Sequence, residues 1–346
     1  MEKEIKIKFN KIKKIDRNYF PFKVLFENFD VKIVEDINDA DVAFEMACRD
    51  GDYKFLKENK KTIIITNEDL FAIKNIFSLI ESGINKLGFK NAKYKLMDKL
   101  DLIIPKFFSE IPLFYFMKEY LDFVQKIKAK KLKNKYAIIQ NNIKDKNIFI
   151  LPYFLQGYYY DMPKLIKRKN KGRQNRRKFC AFVVSSNSSR ERVDFFKKLS
   201  KYKKVDSYGK VMNNMGDKIQ KLNHLSNPVL FEKYKFVICF ENTFSDEYIT
   251  EKLVNVMFAG AIPIYRGAPN IDKYFNTKSF INYEDYGLYD EMIEKIIELD
   301  NDEEKYGEIL KEPWFVDNKI PKIFKKKEKE LIKFYKNIFC KEINKE

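Results

Sequence analysis

Residues 236–265 read FVICFENTFSDEYITEKLVNVMFAGAIPIY, and their pattern of apolar and polar residues indicates the fold class. The stretch opens with an apolar run and passes through a polar segment. It then continues with apolar residues at helical spacing and ends in a second apolar run. This order of strand, helix and strand predicts a parallel sheet covered by helices.

The same rhythm extends in both directions from this stretch. In the second half, strands are expected at 182–185, 204–209 and 280–283, and helices at 190–202 and from Asp290 onward. In the first half, strands are expected at 31–34, 41–44, 62–65 and 101–104, followed by a helix over 114–124. The sequence therefore predicts an α/β protein with two Rossmann-like domains whose parallel sheets face a cleft.

A strongly basic stretch over 161–178 marks the expected boundary between the two halves. It has few apolar residues, which is typical of a linker or a solvated loop. We expect a first domain over 1–155, a basic linker over 156–179, a second domain over 180–316 and a helical tail over 317–346.

The tail is basic and periodic from Pro321, with apolar residues that fall roughly on one stripe. Such a helix suits an anionic membrane surface. It also suits packing back onto the first domain, which is the interpretation we favour, and the two are compatible.

The net charge of +18 favours anionic partners. The basic residues are spread along the chain without a nucleic-acid-binding motif, so no specific nucleic-acid partner is expected. No run approaches the roughly 20 apolar residues of a membrane span, and the N-terminus lacks a signal-peptide core. The expected location is the cytoplasm, and contact of the protein with the inner face of the membrane is compatible with this location.

Cysteine and histidine usage limits the chemistry. Cys48, Cys180, Cys239 and Cys340 form no CxxC pair, which argues against a zinc site or a disulfide scaffold. His224 is the single histidine, so a multi-histidine metal site is excluded. Acid–base chemistry is therefore expected from carboxylates, lysine or tyrosine.

The polar loop after residue 238 is the candidate binding site. Ligands of doubly wound sheets bind beyond the carboxyl ends of the strands, and free amides at a helix N-terminus suit a pyrophosphate. Lys252 adds a positive charge in the first turn, and Glu251 is able to accept hydrogen bonds from sugar hydroxyls. An ordinary helix start with Lys252 in solvent fits the pattern equally well.

Two segments of this loop, Phe240–Thr243 and Tyr248–Leu253, resemble the donor-site signature of the α1,3/α1,4-fucosyltransferases. The resemblance continues through 261–269 and includes 182–192, and it spans roughly 180–285. It implies an inverting transferase of the GT-B fold, with the donor held by the C-terminal domain. The first 150 residues resemble the family only faintly.

The resemblance implies a set of site residues. Contacts to the diphosphate of GDP-fucose would come from Arg192 and Lys252, and the remaining donor-site residues would be Asn242, Tyr248 and Glu251. Arg190 is an alternative to Arg192 because Asn187 is shifted by one position, and Glu241, Thr243 and Arg266 are secondary candidates. Such a fold needs no metal or cofactor, so a divalent cation would at most stimulate. Both Asp-X-Asp pairs, at 39–41 and 50–52, are interpreted as helix or turn residues.

The catalytic base is expected on the acceptor side, where residues 63–68 resemble the family's strand and loop and make Glu68 the candidate. Asp69 is the fallback, and a helix-capping role for this segment is the alternative. The implied acceptor is O3 of N-acetylglucosamine in an N-acetyllactosamine-like oligosaccharide or glycolipid. Rival hypotheses are a GT-B transferase with another sugar nucleotide, a basic nucleic-acid-binding protein and a catalytically silent glycan-binding relative.

Overall fold

The computed structural model describes residues 4–10, 15–47, 62–66, 136–139, 146–167, 178–184, 190–216 and 227–339. Its strands are β1 Ile5–Asn10, β2 Val31–Ile33, β3 Val42–Ala47, β4 Thr62–Thr66, β5 Tyr136–Ile139, β6 Ile148–Ile150, β7 Lys178–Phe182, β8 Val205–Ser207, β9 Tyr234–Ile238, β10 Ile262–Tyr265 and β11 Ile281–Asn282. Its α-helices are α1 Phe20–Asn28, α2 Tyr153–Tyr158, α3 Met162–Lys167, α4 Arg190–Leu199, α5 Asn227–Phe231, α6 Glu251–Ala259, α7 Tyr289–Asn301, α8 Glu303–Lys311 and α9 Lys322–Phe339.

The strands form two parallel sheets. The first has the order β2-β1-β3-β4-β5-β6, and the second has the order β11-β10-β9-β7-β8. In each sheet the chain first adds a strand on one side and then returns to build the other side. The strand order therefore reverses between β1 and β3 in the first sheet and between β7 and β9 in the second. Such a reversal opens a crevice at the carboxyl ends of the strands, where ligands of these folds bind.

The apolar runs in the sequence become strands buried on both faces. In β9, Phe236, Val237 and Ile238 are all buried, as expected for a central parallel strand. The helix that follows, α6, buries Leu253 and Val256 and ends at Gly260, whose φ of 65° is left-handed. Glycine adopts this conformation without steric cost, so the helix ends there.

Helix α9 packs against the first sheet and its helix α1. The hydroxyl of Tyr335 donates a hydrogen bond of 3.1 Å to the Pro21 carbonyl. The rings of Phe149 and Phe334 lie 5.6 Å apart between β6 and α9. The predicted packing of the tail onto the first domain is confirmed, and its apolar stripe is buried in the process.

The parallel α/β architecture with two sheets agrees with the sequence prediction. Part of the predicted linker is folded, because α3 lies inside it and buries Met162 and Leu165. Strands β1, β5 and β6 were not predicted. The strand expected at 101–104 and the helix expected at 114–124 lie outside the described residues. The three boundaries between the four expected segments stay predictions.

Candidate functional site

The loop between β9 and α6 is organised around the carboxylate of Glu241, whose side chain has no exposed surface. Its Oε1 accepts hydrogen bonds from the Thr250 amide at 2.7 Å and the Thr250 hydroxyl at 3.0 Å. The Glu241 amide donates to the Arg266 carbonyl at 2.7 Å, at the end of β10. Glu241 therefore ties together both ends of the loop and the neighbouring strand.

Lys252 lies in the first turn of α6 and completes this cluster. Its Nζ is 2.9 Å from Oε2 of Glu241 and 2.9 Å from Oγ1 of Thr250, and 24% of the side chain is exposed. Burial opposes the charged form, but the carboxylates of Glu241 and Glu251 outweigh it and raise the pKa of Lys252. Lys252 is therefore a fixed cation beside a helix N-terminus, with an internal counter-ion that the sequence did not reveal.

A second cation approaches from α4. Arg192 is 2% exposed, and its Nη1 donates a 2.8 Å hydrogen bond to Oδ1 of Asn242. Burial lowers the pKa of Arg192, and the nearby Glu241 carboxylate opposes this shift. Because α4 follows β7 and Asn242 follows β9, this contact spans the point where the strand order of the second sheet reverses. Both cations therefore lie where a ligand of such a sheet binds.

The remaining donor-site candidates lie around this cluster. Tyr248 is 2% exposed, and Glu251 is partly buried as the first residue of α6. Thr243 is a partly buried loop residue. The guanidinium of Arg266 lies between two aromatic rings, 5.1 Å from the centre of Phe244 and 5.2 Å from that of Tyr283. Arg190 begins α4.

Sequence reasoning missed two residues that shape the cluster. Thr250 is the N-cap of α6, and its hydroxyl contacts both Glu241 and Lys252. A Cβ on Gly267 would lie 2.3 Å from the Tyr265 hydroxyl and 2.6 Å from Cγ of Glu241, so glycine is required for close approach. The signals were present in the sequence: a threonine two residues before Lys252, and a glycine two residues after the end of a strand.

The predicted base lies outside the part of the chain that can be described. Strand β4 is confirmed at Thr62–Thr66, but Glu68 and the alternative Asp69 follow beyond the described residues. His224, Cys48 and Cys340 also lie outside them. Cys180 and Cys239 are buried free thiols.

Within the described ranges, no group of three or more His, Cys, Asp or Glu side chains is arranged to hold a metal ion. Asp39 ends a short 3₁₀ turn, and Oδ2 of Asp41 accepts a hydrogen bond from the Lys6 amide at 2.8 Å. This agrees with the interpretation of residues 39–41 as turn residues, whereas residues 50–52 lie outside the described ranges. Among the helices that can be described, none has the length and apolar character needed to cross a membrane.

The family model described as glycosyltransferase family 10 (fucosyltransferase), C-terminal part, matches residues 173–346. The chain belongs to glycosyltransferase family 10. The family-10 match includes β7 to α9, and with them every donor-site candidate that the structure describes. This agrees with the resemblance in the sequence, which spans roughly 180–285.

Individual family-10 relatives show the same likeness. The chain is 36% identical over 137 residues to the alpha-(1,3)-fucosyltransferase FucT of Helicobacter pylori, covering 40% of this chain and 28% of that protein. It is 32% identical over 135 residues to the 4-galactosyl-N-acetylglucosaminide 3-alpha-L-fucosyltransferase 9 of Bos taurus, covering 38% and 36%. The matches thus span about a third of the length of these curated relatives.

This chain is also similar in fold to a solved structure. A crystal structure of an alpha1,3-fucosyltransferase with GDP-fucose covers 98% of this chain and 91% of its own, with a TM-score of 0.61 and 19% identity. At this identity the likeness concerns the fold, which is that of the GT-B transferases.

Proposed function

We propose that this chain is an inverting α1,3-fucosyltransferase that uses GDP-fucose. The observation that carries the proposal is the pair of cations, Arg192 and Lys252, at the strand-order reversal of a family-10 chain. A diphosphate carries the complementary charge, and a helix N-terminus beside it adds amide donors. The name of the bovine relative specifies the 3-position of a 4-galactosyl-N-acetylglucosaminide. This supports O3 of N-acetylglucosamine in an N-acetyllactosamine-like glycan or glycolipid as acceptor.

On the donor side, Arg192 and Lys252 bind the diphosphate, and Asn242, Tyr248 and Glu251 contact the remainder of GDP-fucose. Thr243, Arg190 and Arg266 contribute at the periphery. The buried carboxylate of Glu241 is already bonded to Thr250 and Lys252. We therefore assign it to holding Lys252 in place rather than to direct contact with the sugar.

The reaction is a direct displacement. The acceptor O3 forms a bond to C1 of fucose as the bond from C1 to the β-phosphate oxygen breaks, and GDP leaves with the electron pair. Configuration at C1 inverts. The proton of the acceptor hydroxyl passes to a carboxylate on the acceptor side, which we assign to Glu68.

Stabilisation of the departing GDP comes from the chain's own cations. Fixed positive charges that meet developing negative charge lower the barrier without having to reorganise. We therefore propose that no cofactor is required and that a divalent cation at most stimulates the reaction.

The product identifies the reaction. The protein is incubated with GDP-fucose and N-acetyllactosamine, and the trisaccharide is analysed by NMR spectroscopy for linkage and anomeric configuration. An α-linked fucose on O3 of N-acetylglucosamine is expected. Fucose at another position would correct the acceptor assignment, and a β-linked product would contradict inversion.

We further propose that the enzyme works in the cytoplasm and contacts the inner membrane face through α9. The outer face of this helix exposes lysines at positions 322, 325, 326, 329, 333 and 336, and anionic lipids attract such clusters. Sedimentation with vesicles containing phosphatidylserine, lost at high salt and absent with neutral vesicles, is expected. Equal sedimentation with neutral vesicles would exclude this electrostatic contact.

A further inference from the structure

Glu247 occupies an unusual position in the loop that leads into α6. Its φ of 65° is left-handed, a conformation that is uncommon for a residue other than glycine. The side chain is nevertheless buried, with 9% of the residue exposed. A strained backbone of this kind persists where surrounding contacts determine it.

The contacts that hold Glu247 are specific. Its carboxylate accepts hydrogen bonds from the Tyr274 hydroxyl and from Nδ2 of Asn270, the latter at 3.1 Å. Its amide donates to Oδ1 of the same Asn270 at 3.1 Å. Burial, together with the Glu247 carboxylate, raises the pKa of Tyr274, so the phenol stays a proton donor.

Lys327 of α9 supplies the positive charge. Its Nζ lies 3.6 Å from Oε2 of Glu247, and only 13% of the lysine side chain is exposed. The same Nζ donates a 2.9 Å hydrogen bond to the carbonyl of Ile150, the last residue of β6. One ammonium group thus connects the loop over residues 241–250, which we call the donor loop, to the edge strand β6 of the first sheet.

A backbone contact reinforces this connection. The Phe154 amide at the start of α2 donates to the Ile249 carbonyl at 3.1 Å. Tyr248 lies between the two anchored residues, and Thr250 follows directly with its contacts to Glu241 and Lys252. A displacement of Glu247 would therefore be transmitted to the residues proposed to bind the donor.

We propose that Glu247 is a positioning residue, and that its bridge to Lys327 holds the donor loop, residues 241–250, in register with the first sheet. This role rests on the proposed function, because the proposed function places the acceptor beside the first sheet. Buried ion pairs contribute little net stability but are costly to break on one side. The bridge therefore selects one loop conformation.

Two charge-removing variants of similar shape test the bridge: Lys327→Met and Glu247→Gln, singly and together. Lys203→Met is the control, because Lys203 pairs with a different, nearly buried carboxylate, Asp300 of α7, at 2.8 Å. Two readouts are needed. Hydrogen exchange over residues 241–250 is measured without nucleotide, and steady-state kinetics give kcat and KM for GDP-fucose.

In Lys327→Met we expect hydrogen exchange over the donor loop to become about tenfold faster, and KM for GDP-fucose to rise by a similar factor. Changes of this size lie within the range of interaction energies found for residues in contact. The double variant should recover part of this loss, because Glu247→Gln removes the uncompensated charge. Lys203→Met should change neither quantity. Unchanged loop exchange in Lys327→Met, or faster exchange throughout the chain with an unaltered KM, would overturn the proposal.

The exchange readout separates this proposal from the proposed function. If the wild-type protein does not turn over GDP-fucose, the proposed function is wrong. Loop exchange that rises selectively in Lys327→Met would still establish that the bridge holds the loop.

Discussion

The ammonium of Lys252 lies 2.9 Å from Oε2 of Glu241, a carboxylate whose side chain is completely buried. The ion pair fixes a positive charge at the N-terminus of α6, where the helix dipole alone would disfavour it. The charge is thus held at the position where we propose that the diphosphate binds. Lys252 is therefore expected to have two effects, one on the stability of the fold and one on GDP binding, and mutations can distinguish them.

Lys252→Ala should weaken GDP binding and destabilise the fold. Removing the lysine leaves Glu241 buried without its counter-ion, which costs about 3 kcal/mol of unfolding free energy. The double variant Lys252→Met with Glu241→Gln should recover most of this stability but none of the GDP affinity. Urea unfolding and calorimetric titration with GDP measure the two effects. GDP affinity that recovers with stability would refute a direct phosphate contact.

Arg192→Lys keeps the charge but loses the planar guanidinium that reaches Asn242. A bidentate phosphate contact is not replaced by an ammonium group, so we expect GDP affinity to fall about tenfold. Arg17→Lys, at an exposed arginine in the first half of the chain, is the control and should bind GDP normally. If Arg190→Lys impairs binding while Arg192→Lys does not, the phosphate contact belongs to Arg190.

Glu68→Gln should abolish fucose transfer while GDP-fucose binding stays nearly intact, because the amide cannot accept the acceptor proton at neutral pH. Initial rates and nucleotide titration on the same preparation check both parts. Asp69→Asn is the matched variant and should retain activity. Normal turnover in Glu68→Gln together with an inactive Asp69→Asn would transfer the role to Asp69.

Asp206 should make folding stability depend on acidic pH. Burial alone would raise its pKa, but hydrogen bonds from Tyr234 at 2.8 Å and Lys178 at 3.0 Å lower the pKa below the ordinary value of 3.8. The unfolded chain therefore takes up this proton first. The stabilisation is present above about pH 4 and is lost as the pH falls through the lower pKa of the folded state.

Urea unfolding of wild type and Asp206→Asn between pH 3 and pH 6 tests this, with the two stabilities expected to converge toward the acidic end. Asp290→Asn, at an exposed surface pair with Lys198, should differ little from wild type at any pH. A difference in unfolding free energy between wild type and Asp206→Asn that stays constant with pH would exclude a contribution of Asp206 to the pH dependence of stability.

The centre of the second sheet was predictable because residues 236–240 and 261–265, which contain most of β9 and β10, are buried and appear as unbroken apolar runs. Phe236–Ile238 is such a run, and Gly260 marks the helix end. Strand β1 was missed although Ile7 and Phe9 alternate with lysines, a pattern typical of a half-buried strand. The fold of residues 162–167 was missed because their buried side chains lie among lysines.

The site could be predicted only as a set of residue types. The sequence placed cations and carboxylates near one strand end, but pairings such as Glu241 with Lys252 depend on side-chain directions that spacing does not determine. The contact between Glu247 and Lys327 joins residues that are 80 positions apart in the sequence. Glu247 lies in the loop before α6, and Lys327 lies in α9. No local pattern indicates such a contact.

Release of the nucleoside diphosphate, GDP or UDP, from a panel of donors is the most direct test of the proposed function. The assay compares GDP-fucose, GDP-mannose and UDP-galactose, each with and without N-acetyllactosamine. We expect nucleotide release from GDP-fucose that depends on the acceptor, and only background release from the other two donors. Acceptor-dependent release from GDP-mannose or UDP-galactose, with none from GDP-fucose, would contradict it.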